Sequence, residues 1–305
     1  MTMIAVLDKT PGTAGFYAAF LDALRDLGFS GEIETAHDTR LVHATDNSIY
    51  QRHPEAVVFP EHQTDLVCLA RLAGRPEWRE IVLAPRGGGT GTNGQSLTDG
   101  IMVDLSRHMN RILEVNLVEK WVRVEPGVVK DQLNAAIAQH GLFFAPELST
   151  SNRATIGGMI STDACGQGSC TYGKTRDHVL GLSTVLLGGE VLRSVKLDDA
   201  ALERQRRGAS RVAQIHACVA DIHDKEKETI ERVFPALNRC LTGYDLRHLR
   251  DDDGSFDLTS LICGSEGTLG FLSEAKLNLL EIPAIVFSST YATAVLWMRC
   301  AMRGR

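Results

Sequence analysis

The chain has 305 residues, enough for one large domain or two smaller ones with a substantial hydrophobic core. Its composition, 44% hydrophobic and 23% charged, is that of a globular protein, and its net charge of -6 argues against nucleic-acid binding as the primary function. No apolar run is long enough to span a bilayer, and the first residues lack the basic and apolar regions of a secretory signal. The seven scattered cysteines fit reduced thiols, so we expect a cytoplasmic protein without a metal or iron–sulfur ligand set of its own.

Residues 1–53 are predicted to form an N-terminal helical extension, because apolar residues recur at helical spacing over 13–27. A strand over 56–60, a helix over 64–73 and a strand over 81–84 come next. This order predicts a β-α-β unit whose two strands run parallel.

The most distinctive stretch is the glycine-rich run at 85–95, in which five of the 28 glycines fall between Gly87 and Gly94. Glycine lets backbone N–H groups approach a ligand closely, and a concave row of them suits an anion such as a diphosphate. A flexible hairpin loop is the alternative, but a turn needs only one or two glycines. The run also spells G-x-G-x-x-G at 89–94, yet the strand predicted at 101–105 follows too soon for the helix that a Rossmann site requires.

A second informative stretch lies at 146–166, after short strands predicted at 111–115 and 121–124 and a helix predicted over 128–139. It is rich in small and hydroxyl side chains. Thr155 is placed to cap a short helix, whose glycine pair would let a planar ligand or another backbone lie close. The pattern indicates a second ligand-binding segment.

Another nucleotide motif, G-x-x-x-x-G-K-T, is spelled at 168–175, which raises nucleotide hydrolysis as an alternative function. A phosphate-binding loop of that type lies between a strand and a helix. Here no strand pattern precedes the motif, and a strand pattern follows it at 179–187. The context therefore disfavours this alternative.

The rest of the chain mixes strands and helices. A hairpin with a two-residue turn is predicted over 179–194, followed by a charged, helical covering layer over 198–238. Further strands are predicted at 258–263 and 271–280. Elements in this order define the fold class as α+β with two lobes.

Three separated motifs point to a family: the glycine run at 85–94, T-I-G-G at 155–158 with the small residues after it, and G-S-E-G-T-L-G at 264–270. With these motifs, the chain resembles the FAD-binding domain of the vanillyl-alcohol oxidase and p-cresol methylhydroxylase group over 54–280. Within that group it looks like the branch of D-2-hydroxyglutarate and D-lactate dehydrogenases. The strings that carry this finer likeness are P-R-G-G-G-T-G at 85–91, A-P-E-L-S-T-S-N-R at 145–153 and L-T-G-Y-D-L at 241–246.

The resemblance implies a two-lobed FAD-binding domain of the p-cresol methylhydroxylase type over 54–282, with lobes at about 54–126 and 127–282. In the family a cap domain follows and supplies the substrate-binding groups, so residues 283–305 are expected to be a truncated start of that cap. The tail from 297 does not resemble the family, and one choice of codons for 297–305, read in another frame, gives a plausible helix start. A frameshift in the gene is therefore our hypothesis for this end of the chain.

The resemblance also implies which residues bind the cofactor. The amides of 86–91 would hold the FAD diphosphate, the segments around Pro146 and Thr155 would line the flavin, and Glu266 with Gly267 would hold the adenosine end. Some relatives bind the flavin covalently through a His at the position of Thr90, so non-covalent FAD is expected here. The implied cofactor-binding residues are Pro85, Arg86, Gly87, Gly88, Gly89, Thr90, Gly91, Thr92, Pro146, Thr155, Ile156, Gly157, Gly158, Thr162, Ala164, Gly166, Tyr172, Gly173, Val179, Glu266 and Gly267.

The function implied by the resemblance is that of the FAD-binding part of an oxidoreductase that oxidises D-2-hydroxyglutarate or D-lactate by hydride transfer to flavin N5. Its partners would be a small 2-hydroxy acid and an electron acceptor, and an iron–sulfur cluster is expected only in the full-length enzyme. Without the cap, this chain is not expected to turn over substrate unaided, and its catalytic residues stay unassigned. A non-catalytic flavin- or nucleotide-binding module remains the open alternative.

Overall fold

The computed structural model describes residues 15–234, 237 and 243–283 and shows a mixed α/β fold with two main sheets. The first sheet and its helices come from the N-terminal third of the chain. Their order is α1 (Gly15–Asp26), β1 (Glu32–Glu34), α2 (His37–His43), β2 (Ala56–Phe59), α3 (Gln63–Ala73), β3 (Leu83–Arg86) and β4 (Ile101–Asp104).

The strand order in this sheet is β1-β2-β4-β3. The strands β2 and β3 are both parallel to β4, which confirms the parallel β-α-β prediction, although β4 lies between the two predicted partners. The strand β3 begins at Leu83, two residues later than the sequence pattern indicated. Because β3 and β4 are parallel, the glycine run that joins them crosses from one end of the sheet to the other and does not close a hairpin.

The predicted N-terminal extension is part of this sheet's core. The helix α1 packs on α3, and Phe20, Leu21 and Leu24 of α1 are fully or almost fully buried. Burial of side chains of this size contributes about 1.5–3 kcal/mol each. The strand β1 pairs antiparallel with β2. Residues 1–14 of the extension lie outside the described part of the chain.

The second half of the described chain forms a larger layer of strands and helices. In order these are β5 (Ile112–Asn116), β6 (Trp121–Val124), α4 (Lys130–Ile137), β7 (Leu142–Phe143), α5 (Ile156–Ser161), α6 (Ser169–Tyr172), β8 (Val179–Val185), β9 (Val191–Ser194), α7 (Asp199–Arg206), α8 (Arg211–Val233), α9 (Thr259–Ile262), β10 (Phe271–Asn278) and β11 (Leu280–Glu281).

The main sheet here is antiparallel with the order β5-β6-β10-β8-β9, and its core includes Val122, Phe144, Ile156 and Leu277. The predicted hairpin is β8–β9. Its turn is one residue longer than predicted, because the N–H of Leu186 donates to the Glu190 carbonyl O at 2.8 Å and leaves residues 187–189 as the connection.

One predicted strand is wrong, since residues 258–263 contain the short helix α9 instead. The Asp257 carboxylate accepts the backbone N–H of Thr259 at 2.8 Å, and Ser260 Oγ donates to the Asp257 carbonyl O at 3.1 Å. These local bonds start a helical turn. A short buried apolar run gives no periodicity that would distinguish such a turn from a strand.

The sheets divide the chain at a different place from the lobe boundary expected near residue 126. The strands β5 and β6 precede that residue, yet β6 pairs with β10 of the second sheet. We therefore propose that the second lobe begins between the end of β4 and the start of β5. The predicted cap segment from residue 284 onward lies outside the described residues.

Candidate functional site

A cleft of about 380 Å³ lies where three distant stretches meet: the glycine run, the segment around α5, and the loop between α9 and β10. Most of the predicted cofactor-binding residues line it. They are Pro85, Arg86, Gly87, Gly88, Gly89, Thr90, Gly91, Thr92, Thr155, Gly157, Gly158, Thr162, Ala164, Glu266 and Gly267.

The glycine run lies directly against the second stretch. A Cβ added to Gly87 would collide with Thr155 Oγ1, and one added to Gly88 would collide with the carbonyl O of Arg153. Only glycine allows the two backbones to approach this closely. On the third side, a Cβ on Gly267 would collide with Pro85. These contacts bring three segments that are far apart in sequence together at the wall of the cleft.

The glycine run presents a row of unused donors to the cleft. Among the described residues, none accepts a hydrogen bond from the backbone N–H of any residue from Gly87 to Thr92. Backbone N–H groups left without protein acceptors seek water or a ligand, because an unsatisfied donor costs free energy. Consecutive free N–H groups in a loop form the kind of concavity that binds phosphate oxygens.

The Arg86 side chain braces the glycine run against the segment that contains His43 and Thr45. Its guanidinium donates to the Thr45 carbonyl O at 2.8 Å and to the His43 carbonyl O at 3.4 Å, and a Cβ on Gly89 would stand 2.6 Å from Arg86 Nη2. Burial lowers the pKa of this guanidinium, while the nearby Asp104 carboxylate counteracts the effect. The sequence assigned a ligand role to the backbone of Arg86; the structure adds a bracing role for its side chain.

The sequence analysis did not identify the segment at 43–52, whose carbonyl groups accept hydrogen bonds from Arg86. The N–H of Asn47 donates to the Gly89 carbonyl O at 3.1 Å, and Ser96 Oγ donates to an Asp46 carboxylate oxygen at 3.1 Å. Residues 43–52 therefore act as a strap along the glycine run. Nothing in their local sequence signals this, since the contacts join residues about 40 positions apart.

Thr155 caps α5 as predicted. Its Oγ1 accepts the N–H of Gly158 at 3.3 Å, and Thr162 Oγ1 donates to the Gly158 carbonyl O at 3.0 Å. A Cβ on Gly158 would have no neighbour closer than Thr155 Oγ1 at 3.3 Å, so the side of the helix at Gly158 is open toward the cleft. This leaves room for a flat group against the helix backbone.

Glu266 stands on the third wall with a backbone φ of 53°, a left-handed conformation that a residue with a Cβ rarely adopts. Partial burial raises the pKa of its carboxyl group. The strained backbone presents the Glu266 and Gly267 peptides to the cleft, which is a pattern found at ligand sites.

The other predicted residues do not line the cleft. Ile156 and Val179 are buried in the core of the second sheet, where Val179 lies opposite Leu277 of β10. Tyr172 packs its ring edge-on against Phe143 at 5.6 Å. The remaining residues in this group are Pro146, which is buried, Gly166, which packs on the Glu147 carbonyl, and Gly173, which ends α6 with a positive φ of 77°.

The G-x-x-x-x-G-K-T match at 168–175 does not form a phosphate-binding loop. Part of it is the helix α6, and Lys174 is only 1% exposed, with its Nζ 2.5 Å from an Asp163 carboxylate oxygen. Asp163 itself lines the cleft, although the sequence analysis did not select it. The lysine that such a loop would offer to a nucleotide is therefore committed to an ion pair.

A second cavity of about 720 Å³ is larger than the cleft. It is lined mostly by apolar side chains, with Arg75, Arg79 and Arg211 also on its lining, and it shares Gly267 and Gly270 with the cleft. It does not include the glycine run. We place the functional site in the smaller cleft, because the free amides and the glycine contacts are there.

None of the helices within residues 15–234, 237 and 243–283 combines the length and apolar character needed to cross a lipid bilayer. No group of three or more His, Cys, Asp or Glu side chains in that range is arranged to hold a metal ion.

The cleft fits a dinucleotide that carries a diphosphate. Free amides suit the phosphate oxygens, the glycine contacts make a cradle that side chains would fill, and the open side at Gly158 suits a flat ring system. Residues 54–194 match the family described as FAD binding domain. The chain therefore contains an FAD binding domain of the p-cresol methylhydroxylase type, as its sequence motifs indicated.

The fold agrees with this assignment. The structure is similar to that of alkyldihydroxyacetonephosphate synthase, with a TM-score of 0.63, 18% sequence identity and coverage of 99% of this chain and 48% of the other. It is also similar to 6-hydroxy-D-nicotine oxidase from Arthrobacter nicotinovorans, with a TM-score of 0.56, 18% identity and coverage of 84% and 43%. At these identities the likeness concerns the fold alone.

The sequence is similar to a narrower group of proteins than the fold is. It is 62% identical to the D-2-hydroxyglutarate dehydrogenase of Pseudomonas putida over 281 residues, which is 92% of this chain and 28% of that protein. It is 50% identical to the protein of the same name from Escherichia coli over 93% of this chain and 28% of that one. A mitochondrial D-lactate dehydrogenase [cytochrome] from Arabidopsis thaliana is 27% identical over 82% and 35%. The chain thus spans about 28% of the length of the Pseudomonas putida and Escherichia coli proteins.

Proposed function

We propose that this chain is the FAD-binding portion of an oxidoreductase that acts on a D-2-hydroxy acid of the D-2-hydroxyglutarate or D-lactate class. The observation that carries the proposal is the convergence of the glycine run, the α5 segment and the Glu266 loop on one cleft. The 62% identity to a D-2-hydroxyglutarate dehydrogenase supports the substrate class. The proposal includes a longer enzyme that has this activity. The electron acceptor and any iron–sulfur cluster of that enzyme are also part of the proposal.

Each wall of the cleft would hold a different part of the cofactor. The free amides from Gly87 to Thr92 would donate to the diphosphate, and the open side of α5 at Gly158 would receive the flavin ring. The peptides of Glu266 and Gly267 would face the adenosine end. When bound, FAD supplies a hydride acceptor for oxidation at C2 of the substrate. The protein's contribution in this portion is binding, orientation and charge.

A titration tests whether the chain binds FAD. Purified protein is stripped of any bound cofactor, and FAD is added while its fluorescence is followed. Saturable quenching at one FAD per chain is expected, and riboflavin, which lacks the diphosphate, should bind much more weakly. Equal binding of riboflavin and FAD would contradict the role given to the free amides.

A chimera tests the substrate class separately. This chain replaces the matching 281-residue segment of the Pseudomonas putida relative, and dye reduction is measured with D-2-hydroxyglutarate and D-lactate. The chimera is expected to retain FAD and to reduce dye with one of these D-acids but with neither L-enantiomer. A chimera that holds FAD and reduces dye with neither D-acid would instead support the alternative of a non-catalytic flavin-binding module.

A further inference from the structure

Lys174 and Asp163 form a buried ion pair at the back of the cleft. The Lys174 Nζ lies 2.5 Å from Asp163 Oδ2, and the two side chains are 1% and 7% exposed. Lys174 comes from the G-x-x-x-x-G-K-T match, which the FAD site does not use. Asp163 lies in the cleft wall between Thr162 and Ala164. The pair therefore connects an unassigned motif to the proposed cofactor site.

The backbone of Asp163 is held tightly in place. It has a left-handed φ of 46°, its N–H donates to the Ile160 carbonyl O at 3.1 Å, and its Oδ1 accepts the N–H of Arg176 at 3.0 Å. The N–H of Thr175 and its Oγ1 donate to the Ala164 carbonyl O at 3.1 Å and 2.7 Å. Thr175 and Arg176, which follow Lys174 directly, thus hold Asp163 and Ala164 in position in the cleft wall.

The charge of Asp163 should affect cofactor binding, because FAD carries a negatively charged diphosphate and its reduced flavin can also be anionic. A buried carboxylate in the wall of such a site would repel the ligand unless a cation offset it, and burial strengthens that repulsion. We propose that Lys174 is an electrostatic positioning residue, which neutralises Asp163 so that the cleft wall can face an anionic dinucleotide. This inference rests on the proposed FAD site.

The other charged groups near Asp163 do not replace Lys174. Arg176 Nε is 3.9 Å from Asp163 Oδ2, but its Nη1 contacts Asp245, which also accepts from His248 at 2.8 Å. Asp177 accepts the backbone N–H of Lys174 at 2.7 Å and adds negative charge. Glu266 on the facing wall adds another carboxyl group, and the neighbouring Cys263 thiol has its pKa raised by complete burial.

Three variants separate a charge effect from simple loss of packing. Lys174→Met removes the cation nearest to the Asp163 carboxylate and is expected to weaken FAD binding at pH 8 by roughly tenfold or more. Asp163→Asn keeps the shape and leaves a cation in the wall, so it is expected to bind FAD as tightly as the unsubstituted protein or more tightly. The double variant removes both charges and is expected to restore most of the affinity that Lys174→Met loses.

A conservative variant adds a readout that loss of packing alone would not give. Lys174→Arg keeps a cation beside Asp163, so it is expected to bind FAD more tightly than Lys174→Met, although both variants change the shape of the side chain. Binding by Lys174→Arg that is as weak as binding by Lys174→Met would argue against the charge role.

FAD binding by fluorescence and folding by circular dichroism are measured for each variant. Weaker binding in Asp163→Asn, or no recovery in the double variant, would overturn the charge role and leave the pair as a packing element. If Lys174→Met does not fold, Asp163→Asn still decides between the two accounts, because they predict opposite signs. Failure of the unsubstituted chain to bind FAD would contradict the proposed function instead.

Discussion

Glu266 donates its backbone N–H to the Ser161 carbonyl O at 2.8 Å and so ties the third wall of the cleft to the end of α5. The bond joins residues more than 100 positions apart, and the left-handed backbone of Glu266 makes it possible. Together with the contacts of Gly87 on Thr155 and of Gly267 on Pro85, it closes a triangle of backbone segments. The protein's own backbone contacts therefore define the shape of the cleft.

A methyl group at Gly87 should disrupt this triangle. Gly87→Ala would place its Cβ against Thr155 Oγ1, and overpacking of this kind costs about 1–3 kcal/mol. We expect FAD affinity to fall by roughly tenfold or more, measured by fluorescence titration. Gly15→Ala is the matched control, because a Cβ there would meet no atom within 4 Å. Unchanged affinity in Gly87→Ala would show that the glycine run is not pressed against Thr155.

Removal of the Arg86 side chain should loosen the glycine run. Arg86→Ala deletes the hydrogen bonds to the carbonyls of Thr45 and His43, and a bond from a charged donor contributes about 1.5–3 kcal/mol. Urea unfolding should show a loss of this size. The control is Arg52→Ala, which breaks an ion pair whose side chains are 60% and 67% exposed and should cost less than about 1 kcal/mol. Equal losses in the two variants would argue against the bracing role.

Asp104 at the end of β4 should make stability depend on pH. Burial alone would raise the pKa of its carboxyl group, but the hydrogen bonds from His43 and Ser106 outweigh burial and lower it. A lowered folded-state pKa means that the carboxylate stabilises the fold above its unfolded pKa of 3.8, and that this stabilisation is lost as the pH falls through the folded value. Asp104→Asn should therefore be less stable than the unsubstituted protein at pH 7.

The same comparison at low pH provides the check. Urea unfolding at about pH 3 should show a smaller gap between Asp104→Asn and the unsubstituted protein, because the carboxylate begins to protonate there. Asp99→Asn, at a position that is 67% exposed, should show little difference at either pH. A gap for Asp104→Asn that is as large at pH 3 as at pH 7 would mean that hydrogen bonding to the ionised group is not the cause.

The FAD should dissociate on denaturation. In some members of the family that this chain resembles, the position of Thr90 is a His that bonds covalently to the flavin. A threonine hydroxyl is not expected to make that bond. After acid precipitation, the yellow colour should remain in the supernatant, and the pellet should show no flavin fluorescence on a gel. Flavin that stays with the precipitated chain would identify a covalent attachment that we do not expect.

The sequence predicts those parts of the site that require a particular type of residue at a single position. The glycine run and the Thr155 cap are of this kind, because the need for close approach or for an N-cap selects the residue type at one position. The fold class followed from the order of strand and helix patterns.

Other parts depend on contacts between distant residues and leave no local pattern. On the side of the strap at 43–52, most of the contacts with the glycine run use the backbone carbonyls of His43 and Thr45 and the N–H of Asn47, and every sequence carries such groups. Lys174 gave a misleading motif, because its role depends on Asp163, 11 positions earlier. The helix α9 was mistaken for a strand since Asp257, which starts it, lies outside the apolar run.

The most direct test of the account is a structure of this chain with FAD bound. The diphosphate oxygens should lie at about 3 Å from the backbone nitrogens of residues between Gly87 and Thr92, with the flavin ring beside Gly158. A diphosphate held instead by Arg75, Arg79 or Arg211 in the larger cavity would contradict the assignment of the cleft.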